Sequence, residues 1–170
     1  MPAPRTPIPE SLLKMLSQAQ MLGLKDPNGW MEWALNIRLY AKQRELTHLI
    51  MENDRLSIKG GHATGKGFWS ECLAIWWAVE MAGYCIVIRH PYQMLLDTWW
   101  ADTRRILGHG RFPQETLSDR WIISPLRGIV CMNTDDPFNI PGLHHPRILI
   151  IIDEAAGIGD QIYDVLEGAQ

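Results

Sequence analysis

One stretch, Gly60-Gly61-His62-Ala63-Thr64-Gly65-Lys66-Gly67, constrains this chain more than any other. Gly60, Gly65 and Lys66 satisfy the spacing G-x-x-x-x-G-K, and the run stands between a short strand-like segment, 56–58, and a strongly helical one that starts near Lys66. Strand, glycine loop and helix in that order read as a phosphate-binding loop. Glycines let backbone N–H groups turn inward around phosphate oxygens, the helix N-terminus adds positive dipole, and a lysine reaches the terminal phosphates. The pattern has one departure. Gly67 stands where a Ser or Thr hydroxyl would ligate Mg²⁺, and it has no side chain to offer.

A chain of 170 residues, 46% of them apolar, is one domain's worth and can bury a core. Its net charge of −3 gives no general attraction to nucleic acid, so any such contact needs a local basic face. Cys72, Cys85 and Cys131 lie in apolar runs without metal-ligand spacing, which predicts buried thiols and no disulfide. The Pro-rich start, 1–9, lacks the apolar stretch of a secretory signal, and no apolar run reaches the ~18 residues of a membrane helix. The expectation is a soluble, cytoplasmic protein with no membrane partner.

Helical spacing of Leu12, Leu13, Leu16, Ala19 and Leu22 predicts a helix over 10–22, ended by Gly23. Trp30, Trp33, Ala34 and Ile37 follow the turn cluster Asp26-Pro27-Asn28-Gly29 at helical intervals and read as packing residues. A further helix is expected over 41–52. After the loop, Phe68, Cys72, Ile75, Trp76 and Val79 predict an amphipathic helix over 66–82, stopped by Gly83. The apolar run 84–88 reads as a buried parallel strand, 92–107 as a helix, and 121–124 with 128–132 as a hairpin around Pro125-Leu126-Arg127.

The second chemical motif is Ile148-Leu149-Ile150-Ile151-Ile152-Asp153-Glu154. Five aliphatic residues deliver two carboxylates to the end of a strand, the Walker B arrangement. Asp153 is placed to bind Mg²⁺, and Glu154 to polarise the water that attacks a γ-phosphate. With Lys66 upstream, the two motifs form the halves of one ATP site in the expected chain order.

The combination resembles the ATPase region of phage terminase large subunits, motors that package DNA into procapsids. The resemblance rests on Gly61-His62-Ala63-Thr64-Gly65-Lys66, on Trp76-Trp77 in the following helix, and on the strand 84–88. Above all it rests on Asp136-Pro137-Phe138-Asn139-Ile140-Pro141-Gly142-Leu143-His144, followed by 148–154, Ala155-Ala156-Gly157-Ile158 and Leu166-Glu167-Gly168-Ala169. It covers roughly residues 40–170, leaving 1–39 as a Pro-rich tail with N-terminal helices. The fold it implies is a three-layer α/β P-loop NTPase of the RecA-like (ASCE) kind, with a mainly parallel sheet. The site it implies takes ATP and Mg²⁺ through the backbone of residues 60–67 and Lys66, with metal at Asp153 and water activation by Glu154. Gln43, in Tyr40-Ala41-Lys42-Gln43-Arg44, resembles the family's glutamine that reads the adenine edge; from position alone it reads equally as a helix-face glutamine. His62, His144 and His145 read as loop residues, and Arg55, Arg89, Arg104, Arg105 and Arg147 are unranked as the arginine that phosphoryl transfer requires. By family, the partners are double-stranded DNA, the portal protein, the small terminase subunit and further copies of the chain.

The sequence ends one short helix after Glu154, where terminases continue into a coupling strand and a nuclease domain, so no nuclease activity is expected of it. In the implied fold the coupling strand lies between the strands of the two motifs. The expectation is therefore a sheet incomplete at the C-terminus and a domain that is marginally stable or associates through open edges. Two alternatives stand beside the motor reading: a helicase or other P-loop ATPase, and a catalytically impaired, truncated prophage remnant acting only as a binding module.

Overall fold

A computed structural model of the chain describes residues 25–61, 63–111, 116–125, 127–133 and 145–167. The helix expected over 10–22, His62, and the run 136–144 with His144 lie outside the described residues.

Continuous aliphatic runs build the middle of an α/β fold. β1 (Tyr84–Ile88) is buried along its whole length, because a strand covered on both faces has no polar side to show. It pairs in parallel with β3 (Arg127–Met132) on one side and with β4 (Ile148–Ile152) on the other, and β2 (Arg120–Ser124) adds to β3 antiparallel as the expected hairpin. The order β2-β3-β1-β4 makes a four-stranded, mostly parallel mixed sheet.

Strand alternation divides the core in two. Cys85, Val87, Ile129, Cys131 and Leu149 face α3 (Lys66–Val79), against which α1 (Pro27–Ala34) packs in turn, in a cluster that also holds Trp30, Trp69, Trp76, Trp99 and Trp100. Tyr84, Ile86, Ile88, Val130 and Met132 face the opposite way, onto Ile162 and Leu166 of α6 (Asp160–Glu167). Each fully buried Ile or Val contributes about 1.5–3 kcal/mol, and the helical Trp76, Trp99 and Trp100, fully buried beside the strands, add still larger apolar surfaces. Buried indoles also satisfy their N–H groups: Trp69 donates to Thr47 Oγ1 at 3.0 Å and Trp99 to Ser70 Oγ at 2.8 Å. The three cysteines are free and buried.

Helix α2 (Ala41–Glu52) forms as expected, while α1 ends at Ala34 and α3 at Val79, short of residues 37 and 82. The helix after β1 is more irregular than its periodicity implies. A short α4 (Tyr92–Leu95) passes through a π-helical turn (Leu96–Trp100) into α5 (Ala101–His109).

The strand expected over 56–58 is not formed. Leu56 and Ile58 pack partly buried against the larger core cluster, but the segment joins no ladder. Among the described residues β4 pairs with β1 alone and is an edge strand, yet 56–58 does not pair with it; strand character in three residues does not by itself bring a segment into register with an open edge.

Candidate functional site

The parallel strands aim their carboxyl ends at one edge of the sheet, where open α/β sheets gather ligand-binding groups. Because α3 runs back toward Gly83 and the start of β1, its N-terminus and the glycine loop lie toward that same edge. The loop and the β4 carboxylates, 87 residues apart from Lys66 to Asp153, are thereby brought to one side of the molecule.

Gly65 caps α3 with φ +73°, a left-handed conformation that glycine adopts without strain. A Cβ there would meet Gln43 Nε2 at 2.8 Å and Tyr40 Oη at 3.1 Å. Ala63 also takes positive φ, +57°, so the chain turns tightly before the helix. No side chain caps α3, which leaves the first-turn N–H groups available to an anion. Lys66 folds back across the turn: its ammonium donates to the carbonyls of Gly60 at 2.9 Å and Gly61 at 2.8 Å, and to Thr64 Oγ1 at 3.2 Å.

Gln43 is 2% exposed, and its amide braces the loop from behind. Nε2 donates to the Gly65 carbonyl at 2.9 Å, and Oε1 accepts from the Tyr40 N–H at 3.1 Å. Tyr40 adds a second tether, its hydroxyl donating to the Thr64 carbonyl. In this arrangement both ends of the Gln43 amide are engaged by the chain itself.

At the other half, the ladder runs one residue past β4: the Asp153 N–H donates to the Ile88 carbonyl at 2.9 Å. Arg89, the residue after β1, therefore stands beside Asp153 and binds it, Nη1 to Oδ2 at 2.9 Å. Glu154 takes φ +56°, a backbone cost of order 1–3 kcal/mol, and its Oε1 lies 3.0 Å from Arg89 Nη2.

Glu71 ties the halves together. It sits one turn after Gly67, and since helical side chains lean toward the N-terminus, its Oε1 lies 3.7 Å from where a Cβ at Gly67 would be. Burial pushes its carboxyl up to about 8, helped by the neighbouring charges of Asp102 and Asp153 and opposed by Arg105. The carboxyl of Glu71 is thus held far above the usual carboxylate range, chiefly by burial, and the charge of the β4 aspartate adds to that shift.

Sequence reasoning did not single out Glu71 or Tyr40, and it did not rank Arg89. Signals existed for two of them: Glu71 follows Gly67 by four residues on one helix face, and Arg89 ends its strand as Asp153 ends β4. His145 is bound within its own turn, where Nδ1 accepts from the Arg147 N–H at 3.0 Å.

Among the described residues no group of three or more His, Cys, Asp or Glu side chains could hold a metal ion. Two carboxylates on one edge suit Mg²⁺ all the same, because that ion is commonly held by one or two carboxylates together with phosphate oxygens and water. No helix among the described residues is long and apolar enough to cross a membrane. Comparison with protein-family models, with curated proteins and with solved structures finds no match.

Proposed function

We propose that the chain is the ATP-binding part of a P-loop NTPase, of the kind that drives double-stranded DNA into procapsids in phage terminases. One observation carries the nucleotide half of this reading. The Lys66 ammonium is drawn over loop carbonyls at an uncapped helix N-terminus, toward the sheet edge that also bears Asp153 and Glu154. The motor half rests on the sequence resemblance.

Bound Mg-ATP supplies the scissile phosphoanhydride and the divalent charge. The residues of the chain bind and orient it. Lys66 exchanges its loop carbonyls for phosphate oxygens, and the first-turn N–H groups of α3 donate to the negatively charged oxygens. Asp153 offers an oxygen to the cation, and Glu154 is the group that can take a proton from an attacking water. Gln43 and Tyr40 hold the loop in register for this exchange.

The second reading, a binding module without turnover, is favoured by Gly67, which removes a cation ligand. Calorimetric titration of the whole chain with Mg-ATP, beside Lys66→Ala and Gly67→Thr, tests the site. Binding that Lys66→Ala weakens at least about tenfold is expected, a loss of about 1.4 kcal/mol. If neither parent nor Gly67→Thr binds while both remain folded, the nucleotide reading fails. Strand separation coupled to turnover would instead assign the chain to the helicases.

A further inference from the structure

Arg89 engages four side chains at the carboxyl end of β1. Its side chain is 11% exposed, against 27% for Asp153 and 54% for Glu154. One guanidinium contacts both carboxylates, Nη1 to Asp153 Oδ2 at 2.9 Å and Nη2 to Glu154 Oε1 at 3.0 Å. Nη1 also donates to Thr98 Oγ1 at 3.1 Å, and Nη2 lies 3.1 Å from Met94 Sδ. The fifth donor, Nε–H, is buried without an acceptor among the described residues. Leaving a buried donor unmade is costly, so this pose is held by the two carboxylates and is weakened once they find another partner.

Charge decides what that partner is. The guanidinium brings one positive charge to two adjacent carboxylates, leaving an excess of one negative charge. A divalent cation on the same oxygens would stand within a few ångströms of the guanidinium and repel it. Both cannot hold Asp153 and Glu154 in the geometry seen here.

We propose that Arg89 is a positioning residue, a built-in counter-ion that holds Asp153 and Glu154 together and competes with a divalent cation for them. The proposal rests on the reading of those carboxylates as the cation side of a nucleotide site. Displacement would not stay local. Arg89 is anchored at Thr98 in the π-helical turn, and Trp99 in that turn donates to Ser70 Oγ, which in turn donates to the Gly67 carbonyl at 2.8 Å. The carboxylate pair and the start of α3 are therefore linked through neighbouring hydrogen bonds.

The test is calorimetric titration of the full chain with Mn²⁺ alone, without nucleotide. Arg89→Gln, which removes the competing charge, is expected to bind Mn²⁺ about tenfold more tightly, or about 1.4 kcal/mol. Arg89→Lys, which keeps a charge that cannot span both carboxylates, should fall between. Adding Asp153→Asn to Arg89→Gln should cancel the gain. A merely structural arginine would give the opposite result, so Mn²⁺ affinity unchanged or weakened in folded Arg89→Gln overturns the proposal. Should that variant not fold, the wild-type chain labelled with ¹⁵N-arginine gives a second readout. Its Arg89 Nε–H resonance, identified by its loss in Arg89→Lys, is expected to shift on Mg²⁺ addition, and a resonance unmoved at high Mg²⁺ also overturns the proposal. The two readings separate cleanly. Failure of Mg-ATP to bind with the Mn²⁺ gain intact sinks the nucleotide site alone, whereas Mg-ATP binding without the gain sinks only the role of Arg89.

Discussion

Gln43 Nε2 donates to the carbonyl of Gly65 at 2.9 Å, fastening α2 to the turn that opens α3, 22 residues along the chain. Because Gln43 is buried, its replacement strands polar atoms as well as deleting a bond. Gln43→Leu is expected to lower unfolding stability by about 1–3 kcal/mol, measured by urea denaturation. Tyr40→Phe, which removes only the hydroxyl tether, should cost less.

Gly65 is required by conformation and by space. Gly65→Ala puts a Cβ on a residue at φ +73° and within 2.8 Å of Gln43 Nε2, so about 1–2 kcal/mol of backbone cost is joined by displacement of the tether. Gly108→Ala is the control. A Cβ at Gly108, within α5, meets nothing within 4 Å, and up to about 1 kcal/mol of stabilisation is expected from helix propensity. Paired denaturation curves check both signs.

Gly67→Thr has room for its Cβ, which would make only an ordinary contact, 3.7 Å, with Glu71 Oε1. Stability should change by no more than a few tenths of a kcal/mol in either direction. Mg-ATP should bind more tightly if the hydroxyl supplies the oxygen that the parent lacks. Calorimetry on the folded variant decides the matter.

Glu71 makes stability fall as pH rises. In the folded chain its carboxyl holds the proton up to about 8, whereas the unfolded chain releases it near 4.5, so the folded state binds more protons between those values. Stability from this group is complete below about 4.5 and is lost progressively toward about 8, at up to about 1.4 kcal/mol per pH unit. Glu71→Gln, neutral throughout, should lack that slope, so the difference between the parent and variant curves should carry it. A parallel pair of curves for parent and variant would contradict the burial of a titrating carboxyl.

The three thiols should be inert in the native protein. Cys72 and Cys85 are 0% exposed and Cys131 3%, and burial pushes all three thiols above their ordinary range, so little thiolate forms. Ellman's reagent is expected to report no reactive thiol under native conditions and all three in guanidinium chloride. Fast native reaction at Cys131 would show that β3 opens.

Much of the fold was legible because its signals are local. The aliphatic runs 84–88 and 148–152 read as buried strands and both form strands, the first buried throughout and the second, at the edge of the sheet, buried only at Leu149; the apolar spacing after Lys66 reads as a helix with one face on a sheet, and forms one. The segment 56–58 shows the limit of such reading. Its residues have strand character, but a ladder needs a second strand in register, and that is a property of the neighbours. The π-helical turn was equally hidden, since a change in hydrogen-bond register within a helix leaves the apolar spacing nearly intact.

The amino-acid sequence by itself determined the two motifs on which the proposed site rests, the glycine loop with Lys66 and the aliphatic strand followed by Asp153 and Glu154, because each is written in consecutive residues. Tertiary structure alone decided what those groups touch. Arg89 meets Asp153 because β1 and β4 pair with Ile88 opposite Ile152, and Glu71 becomes a buried acid because α3 packs against neighbours distant in the chain. Both depend on contacts between segments that the chain brings together only on folding, 64 residues apart in the case of Arg89 and Asp153. No local pattern encodes a register across that distance; the packing of the whole sheet sets it.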